Sequence, residues 1–266
     1  MSTTDFLCLA VFKSHRGRFV AGLDLGSGNL VRGVMNRYGG GFDLGKLHVD
    51  MDGDHRLIRA LDVVRVSFGA KVPTQCQPEN QILLGSENSG RMALLGTAIG
   101  DEFLLGRIEE LAMKSSREEW LFGSQSTQDP RTKEDSYSHS LCVARSEHLL
   151  WTRTAAYNKN RASEFGSGPL LRGEFHFGAN SETYRLPVSD YSWEVRARSK
   201  IPGNRFITDL ALRQEMGLPA DSESYLVLGL DDNFIESGYR YKFISGVIHL
   251  PRTSESEKHL LNSSEA

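Results

Sequence analysis

The chain has 266 residues, enough for one large domain or two small ones. With 39% hydrophobic and 24% charged residues it can bury a core, which excludes a disordered chain. A net charge of −3 argues against a uniformly basic coat protein, and three scattered cysteines without a CxxC spacing argue against a zinc ribbon or a disulfide scaffold.

In chain order, residues 6–12 (FLCLAVF) form a continuous apolar run, the pattern of a strand buried on both faces. The run is too short to cross a membrane and lacks the basic start of a signal peptide, so a cytoplasmic location is expected. Residues 18–25 and 30–35 flank the break Gly26-Ser27-Gly28-Asn29 and predict a hairpin. The internal Gly22 marks a bulge or a strong bend. Residues 61–68 predict a further strand, whereas 39–41 and 50–55 read as loops. Asp101 and Glu102 open a helix that runs through Leu104, Ile108, Leu111 and Ala112 to Lys114. The polar stretch 123–138 reads as a linker.

Residues 140–145 and 149–157 predict strands. Tyr191, Trp193, Val195 and Ala197 alternate with polar neighbours, so 191–198 also reads as a strand. Residues 209–216 predict a short helix stopped by Gly217. Two long strands at 225–230 and 239–250 precede a Ser/Glu/Lys-rich tail expected to be disordered. Many strands and few helices mean a mainly β chain, in small barrels or sandwiches.

No catalytic constellation stands out. Gly22-Leu23-Asp24-Leu25-Gly26-Ser27-Gly28 resembles the first phosphate loop of actin-like ATPases, but no later segment supplies the second loop, and a hairpin turn explains it better. His48, Asp50, Asp52, Asp54 and His55 crowd one segment, yet the spacing misses a calcium loop and fits a solvated acidic loop. Cys76 beside two prolines reads as a small buried thiol rather than a nucleophile. No cofactor and no metal are expected.

Charge is distributed unevenly. Residues 13–37 carry Lys13, Arg16, Arg18, Arg32 and Arg37 against Asp24 alone. Arg153, Lys159 and Arg161 flank Trp151 and Tyr157, while residues 207–266 have a net charge of −5. Basic strands with aromatic residues suit a groove that follows a phosphate backbone and stacks bases. The plain alternative is ordinary solvent-facing charge.

Several ordered segments together resemble the dual OB-containing domain, a bacterial module found around conflict or defence systems. They include Leu7-Cys8-Leu9-Ala10, Gly17-Arg18-Phe19-Val20-Ala21-Gly22, Leu30-Val31-Arg32-Gly33-Val34, Leu61-Asp62-Val63-Val64-Arg65-Val66, Gln77-Pro78-Glu79-Asn80, and the pair 225–230 and 239–248. The chain departs from the family pattern at Leu30 and Gly33, and at Asp231-Asp232-Asn233 in the terminal loop. The resemblance implies two small OB-like barrels, at 5–122 and 137–250, with a linker at 123–136 and a tail at 251–266. It also implies recognition of single-stranded nucleic acid or a nucleotide, without catalysis, in a defence system. The expected binding residues are Arg16, Arg18, Arg32, Trp151, Arg153, Tyr157, Lys159, Tyr241 and Lys242. The competing reading is a scaffold that docks an effector protein without nucleic acid, and a weaker one is an actin-like ATPase. No membrane partner is expected.

Overall fold

A computed structural model of the chain describes residues 2–14, 16–51, 54–74, 76–84, 92–124, 128–130, 138–146, 148–154, 171–201, 203, 205–231 and 239–251. The first half supplies β1 (Ser2–Ser14), β2 (Gly17–Asp24), β3 (Leu30–Val34), β4 (His48–Met51), β5 (Asp54–Leu57), β6 (Asp62–Lys71), β7 (Asn80–Leu84), β8 (Met92–Thr97) and helix α1 (Glu102–Ser115). The second supplies β9 (Gln128–Pro130), β10 (Leu141–Arg145), β11 (Leu150–Arg153), β12 (Leu171–Phe177), β13 (Glu182–Pro187), α2 (Tyr191–Arg198), β14 (Phe206–Thr208), α3 (Asp209–Glu215), β15 (Ser222–Asp231) and β16 (Tyr239–Pro251).

The first five-stranded circuit closes on itself as β1-β2-β3-β7-β6, with β1 pairing both β2 and β6. All its neighbours are antiparallel except β3 and β7. This order, with its one parallel pair, is that of an OB barrel. The expected β2–β3 hairpin is present. A Cβ on Gly22 would lie 2.1 Å from the Leu7 carbonyl oxygen, so only glycine lets the strands approach. The irregularity in the ladder lies across from it on β1, between Cys8 and Ala10.

The second unit repeats the circuit. The consecutive strands β10 and β11 share the place of one long first strand, β10 pairing β15 and β11 pairing β12. The circuit continues through β13, and Val188 just beyond it makes a parallel bridge to Ile244 of β16. The β15–β16 ladder then completes the order.

Three apolar clusters follow. Phe6, Cys8, Val20 and Val64 fill the first barrel, and Trp151, Phe175, Leu186 and Leu228 fill the second. The third joins the two barrels. It unites Leu7, Leu9, Phe19 and Leu23 with Ile108 of α1 and with Val143, Val227, Phe243 and Ile248 of the second unit. Alternate residues of β1 therefore enter two different cores, which is why its run is apolar on both faces. Asp101 accepts a hydrogen bond from Leu104 N at 3.1 Å and starts α1 where the sequence places it.

Four expectations change. Residues 191–198 are helical, not extended: Asp190 accepts from Trp193 N at 2.9 Å as an N-cap. Only Trp193 and Ala197 bury, one helical turn apart, while Tyr191 and Val195 stay 44% and 57% exposed. The segment around 50–55 is the β4–β5 hairpin, across which Asp50 faces His55. Within the expected linker, β9 pairs with β16. Leu121 and Phe122, placed by sequence at the end of the first unit, pack in the second barrel's core together with Cys76. The expected tail beyond residue 251 lies outside the described residues.

Candidate functional site

An OB barrel meets its ligands on the outward face of its second and third strands and on the loops beside them. In the first barrel that face is closed. Phe19, Ala21 and Leu23 of β2 and Val34 of β3 point outward into the cluster shared with β10, β15 and β16. Arg32 lies among them, 1% exposed, and donates to the carbonyl oxygens of Leu230 at 3.1 Å and Ser140 at 3.2 Å. The loop between β6 and β7 is committed in the same way: Gln77 Nε2 donates to Leu230 O at 3.0 Å, and the Glu79 carboxylate accepts from the Ser140 hydroxyl at 2.6 Å.

The corresponding face of the second barrel is formed by β11, β12 and β13, extended by β14. Strand parity turns Leu171, Gly173, Phe175 and Phe177 inward and Arg172, Glu174 and His176 outward. On β13, Thr183 and Arg185 are exposed. Phe206 of β14 is 51% exposed, and the Arg185 guanidinium sits 5.2 Å from the centre of its ring. An exposed aromatic ring beside arginines is the equipment for stacking a base and holding a phosphate.

One end of this face opens into a pocket of about 550 Å³ lined by His148, Leu150, Glu174, His176 and Thr208. The His148 and His176 rings lie 5.3 Å apart. Beside them lies a buried polar network: Asp209 accepts from Trp151 Nε1 at 2.8 Å, from Arg213 Nε at 2.9 Å and from the Ser224 hydroxyl. Ser224 Oγ also lies 3.0 Å from His249 Nδ1. Burial pushes His249 down to about 4, and the nearby Arg213 and Arg196 add to this against the opposing pull of Asp209, so the imidazole is neutral at physiological pH.

The expected binding residues divide. Arg32, Trp151 and Lys242 are corrected, because each is buried and engaged inside the protein. Arg32 ties the barrels, Trp151 donates to Asp209, and Lys242 Nζ donates to the Ser124 carbonyl 5.3 Å from the Tyr184 ring centre. Arg153 is half-buried and donates to the Arg198 carbonyl at 2.8 Å. Arg16 and Arg18 lie together at the β1–β2 end of the first barrel, with the Arg18 guanidinium 5.4 Å from the centre of the Tyr191 ring. Tyr241 is half-buried in the β16 ladder. Tyr157 and Lys159 lie outside the described residues. The exposed set on β12–β14 was missed, although the alternation of Arg172, Glu174 and His176 with apolar neighbours carries it.

A larger cleft of about 1,030 Å³ lies where the β2–β3 turn, the end of α1 and β10 meet. Its charges are of both signs, and His139 pairs there with Glu118 at 3.1 Å. Asp24, at its rim, accepts from Thr4 Oγ1 at 2.6 Å and from Gly26 N at 3.0 Å, as the acceptor of a hairpin turn. Among the described residues, no cluster of three or more His, Cys, Asp or Glu can hold a metal ion, and no helix is long and apolar enough to cross a membrane.

No curated protein and no solved structure matches the chain. The family model described as a dual OB-containing domain matches residues 4–247, nearly the span over which the two barrel circuits run. By that match, and in keeping with its two OB circuits, the chain belongs to the dual OB-containing domain family.

Proposed function

We propose that this protein binds single-stranded nucleic acid, without enzymatic turnover, on the outward face of β11–β14. The observation that supports this most is an asymmetry: of two equivalent strand faces, one is closed by the neighbouring barrel and the other keeps Arg185 and Phe206 exposed. Arg172 and Arg185 supply charge for the phosphates, and Phe206 supplies a stacking surface that tolerates any base. The net charge of −3 makes binding a local property of this face. A role as the recognition part of a bacterial defence system, implied by the family resemblance, would draw on the same face.

A polarisation titration against single-stranded DNA, single-stranded RNA and duplex at two salt concentrations tests this. Single strands should bind in preference to duplex, more weakly at high salt, and Phe206→Ala should cost about 1–3 kcal/mol. Salt-insensitive or absent binding would instead favour a protein scaffold. That second reading has its own support in the exposed Leu95, Ile99 and Phe103, an apolar stretch running from β8 into α1.

A further inference from the structure

The pocket beside the β11–β14 face contains three carboxylates. Two are committed: Asp209 to Trp151, Arg213 and Ser224, and Glu223 to Arg145 at 2.6 Å. The third, Glu174, is half-buried and takes part in no hydrogen bond or ion pair among the described residues. Arg185, directly across from it on β13, turns to the Phe206 ring instead. Two residues along β12 the His176 ring faces His148, so an acceptor-only group and a pair of aromatic faces line one opening.

Resting on the single-strand reading above, we infer that this pocket takes one base of the bound strand and that the base is guanine. A carboxylate can only accept. Guanine offers it two adjacent donors, N1–H and the exocyclic N2–H, which match the two carboxylate oxygens. Adenine and cytosine offer one amino group, and thymine presents N3–H between two carbonyl oxygens that a carboxylate repels. The imidazole rings provide the flat faces on which an unstacked base rests, as aromatic side chains do in single-strand recognition. A volume of about 550 Å³ lies within the range of small-ligand pockets and admits a purine.

Three ten-nucleotide probes test the pocket: oligothymidine, and the same strand with one central guanine or one central inosine, which lacks the N2 amino group. The guanine probe should bind about tenfold or more tightly than the inosine probe, within the range of a bidentate base contact. In Glu174→Gln that gap should close, because the amide presents a donor where guanine also donates. Equal binding of guanine and inosine probes to the unaltered protein overturns the inference, and this comparison needs no variant to fold. A gap that survives in Glu174→Gln overturns it as well. Binding of oligothymidine without any advantage for guanine leaves the single-strand reading standing and removes only the pocket. Failure of all three probes to bind removes both.

Discussion

The Arg32 guanidinium donates to the carbonyl of Leu230 at 3.1 Å, across 198 residues of sequence. The same guanidinium reaches Ser140, whose backbone amide and hydroxyl donate to Glu79. An arginine and a carboxylate of the first barrel thus grip the paired β10 and β15 of the second, with Arg32 and Ser140 buried between the barrels.

Arg32→Ala should therefore destabilise the protein by about 1.5–3 kcal/mol, the range for hydrogen bonds made by a charged group, because Leu230 O keeps Gln77 Nε2 and Ser140 O keeps the Leu230 amide as donors. Arg32→Lys should recover part of the loss at most, since an ammonium lacks the planar fork that reaches two carbonyls. The midpoint of urea denaturation reads both; an unchanged midpoint in Arg32→Ala would show that the apolar cluster alone holds the barrels together.

Asp190 links stability to pH. Burial pushes its carboxyl from the ordinary value of 3.8 up to about 6, against the hydrogen bonds from the amides of Trp193, Val247 and Ser192. A value raised in the folded state gives a stabilising contribution that is full below about 3.8 and is lost as the pH rises through about 6. The stability of the unaltered protein relative to Asp190→Asn should fall across that window, by at most roughly 3 kcal/mol at 1.36 kcal/mol per pH unit. Denaturation midpoints of the two proteins between pH 4 and 7 give the difference; a constant difference would mean that Asp190 titrates normally.

The pattern of the sequence reached the local structure better than the assembly. The β2–β3 hairpin, α1 and the long β15–β16 pair follow from apolar spacing, caps and turns, all of which act over a few residues. Tyr191 to Arg198 alternates as a strand does, but the Asp190 cap and the burial of Trp193 and Ala197 make it a helix. Arg32 counted as one cation in a basic run, and nothing local distinguishes it from Arg18. Its burial depends on partners more than 100 residues away. The same non-local event, the docking of one barrel on the ligand face of the other, removes the β2–β3 face with Arg32 from the expected site and leaves β12–β14 as the open one.

The cysteines should be chemically quiet. Burial raises the thiols of Cys8 and Cys142 well above their usual value, and all three cysteines are free and buried. A thiol reagent at neutral pH should label none of them in the native protein and all three in denaturant. Rapid labelling of the native protein would contradict the packing of β1 and β10.

Asp24→Ala should act on the hairpin and not on catalysis. Partial burial pushes its carboxyl up, but the hydroxyls of Thr4 and Ser27 and the amides of Gly26 and Ser27 outweigh this and hold it below 3.8. Its contribution is therefore present at neutral pH and is lost as the pH falls through that lowered value. The variant should lose about 1 kcal/mol in denaturation. Magnesium-dependent ATP turnover in the unaltered protein, abolished by this change, would contradict the turn assignment.

The most direct test of the open face is the salt dependence of single-strand binding. The logarithm of the association constant should fall linearly with the logarithm of salt concentration, and each phosphate contact should contribute roughly 0.7 to the slope. Arg172→Ala and Arg185→Ala should each flatten the slope by about that amount, whereas Arg32→Lys should leave it unchanged because Arg32 is buried between the barrels. A slope that responds to Arg32 and not to Arg172 or Arg185, or no salt-sensitive binding at all, would contradict the account.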